Sequence, residues 1–302
     1  MYDIVCLCET KTDKIDEANI SIDGYKIFYH HRSHCKEKSG GIAILVKDKF
    51  SNCVTPLKSN DNENVLWCVI DQALTGQSFI IGAVYIPPEN SNYVTGDEIG
   101  AIENEILDLT SDLGVPILLV GDMNARTGSL SDYVIIEKCI LEKTGFICEN
   151  ATSELLCDED TLIKSNVTPH RVNMDKKSDN RGRKLIEMCK NTGLLIVNGR
   201  IGADSRVGHT TCKNVSTVDY CIASLSLFEI IVNMKVDLFD SCLSDVHNPI
   251  FIELNRTNCI IKDPGSPKSA PKIVAKGAQN SDPSYKITGI RARRASSKMH
   301  LI

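Results

Sequence analysis

No apolar run in this sequence approaches the roughly 18 residues that a membrane-crossing helix needs. The best local runs, Ile117-Leu118-Leu119-Val120 and Leu194–Val197, are strand-sized. The N-terminal Met1-Tyr2-Asp3-Ile4 lacks a basic n-region and a cleavage site, so no signal peptide is expected there. The expectation is a soluble intracellular chain, cytoplasmic or nuclear, with no membrane partner. A regular disulfide framework is missing too. There are 13 cysteines, an odd number at irregular spacing. Cys6, Cys8, Cys68, Cys189 and Cys221 lie in apolar stretches, where a free thiol packs as a small hydrophobe. Reduced thiols in a reducing compartment are expected, and Asn-x-Ser/Thr at Asn150 and Asn166 then carries no glycan. No internal repeat is present. Gly40-Gly41 is not followed by Gly-x4-Gly-Lys and marks the start of a strand rather than a phosphate loop.

What is present suits one or two globular domains: 302 residues, 42% hydrophobic and 24% charged. The net charge of −5 is unevenly spread. Residues 260–302 hold nine Lys/Arg against Asp263 and Asp282, a net +7, so the rest carries −12. An acidic body argues against sequence-blind binding of nucleic acid over its whole surface. It leaves room for a nuclease, whose cleft needs carboxylates to hold metal.

Residues 1–257 alternate short β-rich runs with turns and a few helices. Strands are expected at Ile4–Cys8, Tyr25–Tyr29, Gly41–Val46, Val65–Ile70, Phe79–Tyr85, Ile117–Val120, Leu194–Val197, Thr217–Ile222, Asn233–Val236 and Pro249–Leu254. One helix is expected from the stripe Ile99, Ile102, Ile106, Leu109 and Leu113, closed by Gly114 and Pro116. A second carries Leu185, Ile186, Met188 and Cys189, capped by Ser178 or Asp179 and stopped by Gly193. So many short strands point to a two-sheet sandwich, with helices on the outer faces. From residue 258 to 302 Pro, Ser and Lys dominate, and a disordered basic tail is expected. Its Arg291, Arg293 and Arg294 could touch nucleic acid or serve import, but a solvated tail with no role is the favoured reading, since short basic clusters are common.

Four strand ends carry chemistry. ILLVGDMN presents Asp122 and Asn124 two residues apart, hence on one side of an extended chain. Together they can take a proton from water and hold it in line with phosphorus, although Gly, Asp and Asn are also the usual turn residues. IVCLCETK ends in Glu9, an oxygen ligand for a hard cation such as Mg2+ or a plain solvated strand end. TVDYCI places Asp219 among apolar neighbours, costly unless it is paired. LSDVHNP offers Asp245 and His247, an imidazole that could face a phosphate. Any one of these alone reads as loop or turn. Taken in order, each at the end of an apolar run, they are the groups that metal-assisted phosphodiester hydrolysis requires.

The segments CETK, GGIAILV, VYIPP, LLVGDMNAR, NRGRKLIEMCKNTGLLIVNGR, TVDYCIAS and LSDVHNPI resemble the endonuclease/exonuclease/phosphatase superfamily, in particular the N-terminal endonucleases of LINE-type retrotransposons. The resemblance spans Asp3 to about Leu254. It implies a DNase I-like four-layer α/β/β/α sandwich of two mixed β-sheets, with Mg2+, or Mn2+, as cofactor and DNA as substrate. A reverse transcriptase would be the partner activity in a parent element, and no polymerase segment follows in this sequence. Within the resemblance Glu9 binds metal, Tyr85 donates to the scissile phosphate, and Asp122 aligns or deprotonates water. Asn124 contacts phosphate or transition state, Asp219 orients His247, Asp245 assists with metal or histidine, and His247 faces the phosphate. Asn198 and Thr211 fall where the family contacts substrate. Phosphatases share this fold and catalytic set, and an inactive remnant is the remaining alternative.

Two departures stand out. The family usually opens with a strand ending in a metal-proximal Asn, and here the sequence begins at the following segment. A missing first strand is therefore expected, with exposed ladder groups. Asp245 and His247 are also separated by Val246, where the common pattern has them adjacent, so a bulge or turn must absorb it. His30, His31, His34 and Cys35 lack the paired spacing of a zinc site. With Arg32, Lys36 and Lys38 they are read as a polar loop.

Overall fold

The computed structural model describes residues 2–32, 38–58, 62–94, 96–134, 159–241, 244, 246–256 and 298–301. Two six-stranded sheets face each other. The first contains β1 (Ile4–Cys8), β2 (Tyr25–His30), β3 (Ile42–Lys47), β10 (Ile231–Val236), β11 (Ile250–Asn255) and β12 (Lys298–Leu301), in the order β10-β11-β12-β1-β3-β2. The second contains β4 (Val54–Pro56), β5 (Val65–Ile70), β6 (Phe79–Tyr85), β7 (Ile117–Asp122), β8 (Leu194–Ile196) and β9 (Asp219–Ser224), in the order β4-β5-β6-β7-β9-β8. Both are mixed: β6 runs parallel to β7 and β1 parallel to β12, whereas the other pairs are antiparallel.

Side-chain alternation builds two cores. Ile42, Ile44 and Val46 of β3 face Cys68, Ile81, Leu118, Val120 and Cys221 of the second sheet. The opposite face of that sheet, with Trp67, Ile80, Leu119 and Ile222, meets helices α3 (Glu98–Leu113) and α5 (Asn180–Thr192). Among the shorter helices, α1 (Lys14–Asn19) buries none of its residues, α2 (Gln72–Thr75) buries Leu74 and α4 (Glu159–Lys164) buries Leu162. Asp179, rather than Ser178, caps α5, accepting from the Gly182 amide at 2.6 Å, and Gly193 closes it in the left-handed region. In α3 the buried stripe is Ile99, Ile102 and Ile106. Leu113 is exposed.

Ten expected strands form, with ends shifted by up to two residues. β4 and β12 were not foreseen: β4 is three residues long and β12 lies in the segment read as tail. The remainder of 257–302, with Arg291, Arg293 and Arg294, lies outside the described residues, as do His34, Cys35 and Lys36. All seven described cysteines are free thiols. No described helix is long and apolar enough to cross a membrane.

Candidate active site

The register of the second sheet brings three strand ends level. Tyr85 of β6 pairs with Asp122 of β7, and Asp122 pairs with Asp219 of β9. Gly121 makes the approach possible. Its φ of +136° suits only glycine, and a Cβ there would stand 2.0 Å from the Val84 carbonyl oxygen. From the first sheet come Glu9, just past β1, and His247, just before β11. These five residues line one cavity of about 240 Å3.

His247 Nδ1 lies 2.8 Å from Asp219 Oδ2, and Nε2 lies 3.8 Å from Asp122 Oδ2. Ser244 anchors the backbone that presents the ring. Ser244 Oγ accepts from the amides of Val246 (3.3 Å) and His247 (3.0 Å). Asp245 itself lies outside the described residues. The bond to Asp219 and that carboxylate's charge push the His247 pKa up to about 9, so the ring is an imidazolium at neutral pH. Asp122 is 5% exposed; burial, then the charge of Asp219, push its pKa up to about 8.

Asn124, with φ +44°, holds Asp122 from two directions. Its backbone amide donates to Oδ1 at 2.8 Å and its Nδ2 donates to Oδ2 at 2.9 Å, with a further bond from Nδ2 to the Ile86 carbonyl at 2.8 Å. The side-chain amide is thus committed to Asp122 and the backbone. Burial, then the charge of nearby Glu9, pushes the Tyr85 pKa well above the ordinary value. Glu9 itself has φ +54° and is half-exposed, 3.5 Å from Lys11 Nζ.

Asn198 and Thr211 stand behind the site. Both are buried, Thr211 completely. Thr211 Oγ1 accepts from the amides of Val218 (3.1 Å) and Asp219 (3.0 Å). Asn198 Nδ2 donates to the Asp219 carbonyl at 3.2 Å, and its Oδ1 accepts from the Cys221 amide at 2.9 Å. Their contacts fix the start of β9.

Arg32 differs from the polar-loop reading. Its side chain is 4% exposed, it donates to Asn64 Oδ1 at 2.8 Å, and its guanidinium lies 5.8 Å from the Tyr85 ring centre and 5.9 Å from that of Tyr93. Nothing local in the sequence marks this arginine, because its partners come from three other segments.

Ligand atoms of Asp122, Asp219 and His247 all lie within 4.8 Å of one another. Two carboxylates and an imidazole at that spacing fit a divalent cation. The pKa shifts qualify the set: an imidazole held protonated is a poor ligand, whereas a carboxyl whose charge is disfavoured gains most from a cation. The oxygen donors are therefore the ones suited to metal.

Comparison with known proteins bears on the fold. Residues 1–145 match the Endonuclease/Exonuclease/phosphatase family. No curated protein sequence matches the chain. Among solved structures, the AP endonuclease LMAP from Leishmania major is similar with a TM-score of 0.52 at 12% identity, covering 82% of this chain and 77% of that one. The 3′ phosphatase NExo from Neisseria, bound to product DNA hairpin, gives 0.50 at 14%, over 84% and 89%. The endonuclease domain of TRAS1, a telomere-specific non-LTR retrotransposon, gives 0.46 at 16%, over 83% and 96%. At such identities the first two likenesses establish the fold alone, an α/β sandwich of two mixed sheets. The family match covers the part of the chain that carries Glu9, Tyr85, Asp122 and Asn124.

Proposed function

We propose that the chain is a member of the endonuclease/exonuclease/phosphatase superfamily of LINE type, and that it nicks DNA by phosphodiester hydrolysis dependent on a divalent cation, Mg2+. The observation that carries this is the Asp219–His247 hydrogen bond set against buried Asp122 at one rim. A base and an acid face each other from strand ends of the two sheets, with their pKa values displaced from the ordinary ones.

Asp122, tuned to about 8, is the general base: it takes a proton from the attacking water, and Asn124 fixes which oxygen points at that water. His247, tuned to about 9, is the acid. Asp219 holds its ring so that Nε2–H faces the reacting group. The new bond joins water oxygen to phosphorus, the P–O3′ bond breaks, and the imidazolium proton goes to O3′. The products are a 3′-hydroxyl and a 5′-phosphate. Tyr85, which lines the same cavity, donates to a non-bridging oxygen. Glu9, with the carboxylates of Asp122 and Asp219, would hold the cation, and Asp245 belongs to the proposed set. When bound, Mg2+ neutralises phosphate charge and favours ionised carboxylates. Asn198 and Thr211 position Asp219 through its backbone.

Nicking of supercoiled plasmid DNA with Mg2+ or Mn2+ tests the reading, beside release of phosphate from inositol phosphates. Asp122→Ala and His247→Ala should each lower nicking by about 10²–10⁴-fold, the range for a lost general acid or base. Phosphate release without nicking would place the chain among the phosphatases of this fold. No cation-dependent turnover in either assay would make it a non-catalytic remnant.

A further inference from the structure

Two residues past β2, Arg32 turns its side chain inward, and its contacts come from both sheets. On the side of the second sheet, Asn64 Oδ1, next to β5, accepts from Nη2 at 2.8 Å, and Glu63 Oε2 lies 3.8 Å from Nε. The Tyr85 and Tyr93 rings, 5.8 and 5.9 Å away, are both within cation–π reach of the guanidinium. On the side of the first sheet, the Gly40 backbone lies against the guanidinium: a Cβ there would stand 3.0 Å from Cζ and 3.1 Å from Nε. The Gly40 carbonyl in turn accepts from the Lys11 amide at 2.8 Å, and that of Gly41 from the Thr10 amide at 3.1 Å. These bonds hold the turn after β1 in which Glu9 and Lys11 have positive φ. The Gly40-Gly41 pair thus closes the chain over Arg32 and braces the Glu9 turn.

A charged side chain that is 4% exposed needs a reason. An apolar group of similar length would fill the space at lower desolvation cost. What the guanidinium adds is a flat face for aromatic rings and a fixed positive charge. Both reach the site through Tyr85. Burial, then the charges of Glu9 and Asp122, raise the Tyr85 pKa, and the Arg32 charge acts in the opposite direction. Tyr93 belongs to the loop after β6. The start of that loop is tied by Asn124 Nδ2, donating to the Ile86 carbonyl at 2.8 Å, and by Arg181 Nη1, donating to the Pro87 carbonyl at 2.5 Å. Arg32 meets the loop further on. We propose that Arg32 is a positioning residue of the candidate active site: placed against Tyr85, Tyr93 and Gly40, it fixes the Tyr85 hydroxyl as a donor to the phosphate and keeps the loop 86–94 in register with the Glu9 turn. It acts through Tyr85 and does not itself meet substrate.

The role given to Tyr85 rests on the proposed function; the clamp on the two rings does not. The test uses the full-length protein with Arg32→Met, which keeps most of the side-chain length, Arg32→Lys, which keeps the charge, Tyr85→Phe, and the double variant Arg32→Met/Tyr85→Phe. Without added cation, NMR of tyrosine ring carbons, with Tyr85 and Tyr93 assigned from their Phe variants, should show both resonances shifted by Arg32→Met. Tyr25, whose hydroxyl bonds the Tyr2 carbonyl, should stay in place. In plasmid nicking with Mg2+, Tyr85→Phe should lower kcat by about 10²-fold, the lower end of the range for a lost transition-state donor. Arg32→Met should lower kcat about tenfold with KM within about twofold, and Arg32→Lys should remain within about threefold of wild type. On the Tyr85→Phe background Arg32→Met should change kcat less than about twofold, because the two residues act as one unit. A merely structural arginine would cost the same on both backgrounds, and that result would overturn the proposal. Arg32→Lys as poor as Arg32→Met would overturn the part given to charge. Tyr85 and Tyr93 resonances unmoved by Arg32→Met would overturn the clamp. A wild type that nicks nothing while both resonances shift would sink the catalytic reading and leave the clamp standing, so the two failures are told apart.

Discussion

Asp219→Asn preserves the shape of the side chain and removes its charge, and its effect can be worked from the site. The 2.8 Å bond to Nδ1 and the Asp219 charge are the main supports of the His247 pKa near 9. Returning the ring to its ordinary 6.5 corresponds to about 3 kcal/mol, at ~1.4 kcal/mol per pKa unit. Asp122, 3.8 Å from Nε2, retains part of the shift, so a midpoint of about 7 is expected. At pH 8 the wild-type ring is then about nine-tenths protonated and the variant ring about one-tenth. The sign for stability follows. A histidine raised in the folded state contributes fully below 6.5 and loses that contribution as pH rises through 9. The wild type should therefore exceed the variant by up to about 3 kcal/mol near pH 6, with the gap closing above pH 9. The measurement is an NMR titration of the imidazole ring protons in metal-free protein, with His247→Gln to assign the resonance among seven histidines, beside urea unfolding at pH 6 and pH 10. A His247 midpoint that stays near 9 in Asp219→Asn would refute the account of this pair.

Two further outcomes are expected. Asp122, raised to about 8, contributes stability that is fully present below its ordinary 3.8 and lost as pH rises through 8; a bound cation reverses the preference, so added Mg2+ should raise Tm more at pH 8.5 than at pH 6. Equal increments at the two values would argue against Asp122 as a cation-linked group. Arg200 makes a fully buried two-point pair with Asp132, at 2.6 and 2.7 Å, and also donates to the carbonyls of Ile196, Thr168 and Pro169. Arg200→Met should cost about 3–5 kcal/mol in denaturant unfolding by stranding Asp132, and the double variant Arg200→Met/Asp132→Leu should recover a large part of it.

The fold was legible wherever a periodic pattern met a buried surface. β1, β5 and β6 match their expected limits, because a strand buried on one or both faces leaves an unbroken or alternating apolar run. The groups at the strand ends were legible for the same reason: Asp122 and Asp219 are conspicuous because apolar residues precede or surround them. What stayed illegible depends on partners distant in sequence. Arg32 reads as a loop charge, and only the meeting of Asn64, Tyr85 and Tyr93 buries it. The NGR segment suggested substrate contact at Asn198, whereas the bonds of Asn198 run to β9 and those of Arg200 into a buried ion pair. β12 had no signal, since a four-residue segment in a polar, Pro-rich context acquires strand character only from the edges that receive it.

The division of the site between the two sheets gives these details a common cause. Tyr85, Asp122 and Asp219 belong to the second sheet, and Glu9 and His247 to the first. The Asp219–His247 bond is therefore a tie across the mouth of the sandwich, and the bond from Cys8 Sγ to the Val84 carbonyl, at 3.1 Å, is another just beneath it. Sheets packed face to face exclude water between them, which is why the Asp122 carboxyl at that mouth is pushed towards its neutral form, whereas the bond and charge of Asp219 hold the imidazole charged against the same burial. A site built on one sheet alone would keep its geometry when the sheets slide. Here a shift of an ångström between sheets lengthens a 2.8 Å hydrogen bond beyond useful reach, so the packing of Ile42, Ile44 and Val46 against Ile81, Leu118 and Val120 holds the acid and the base in register.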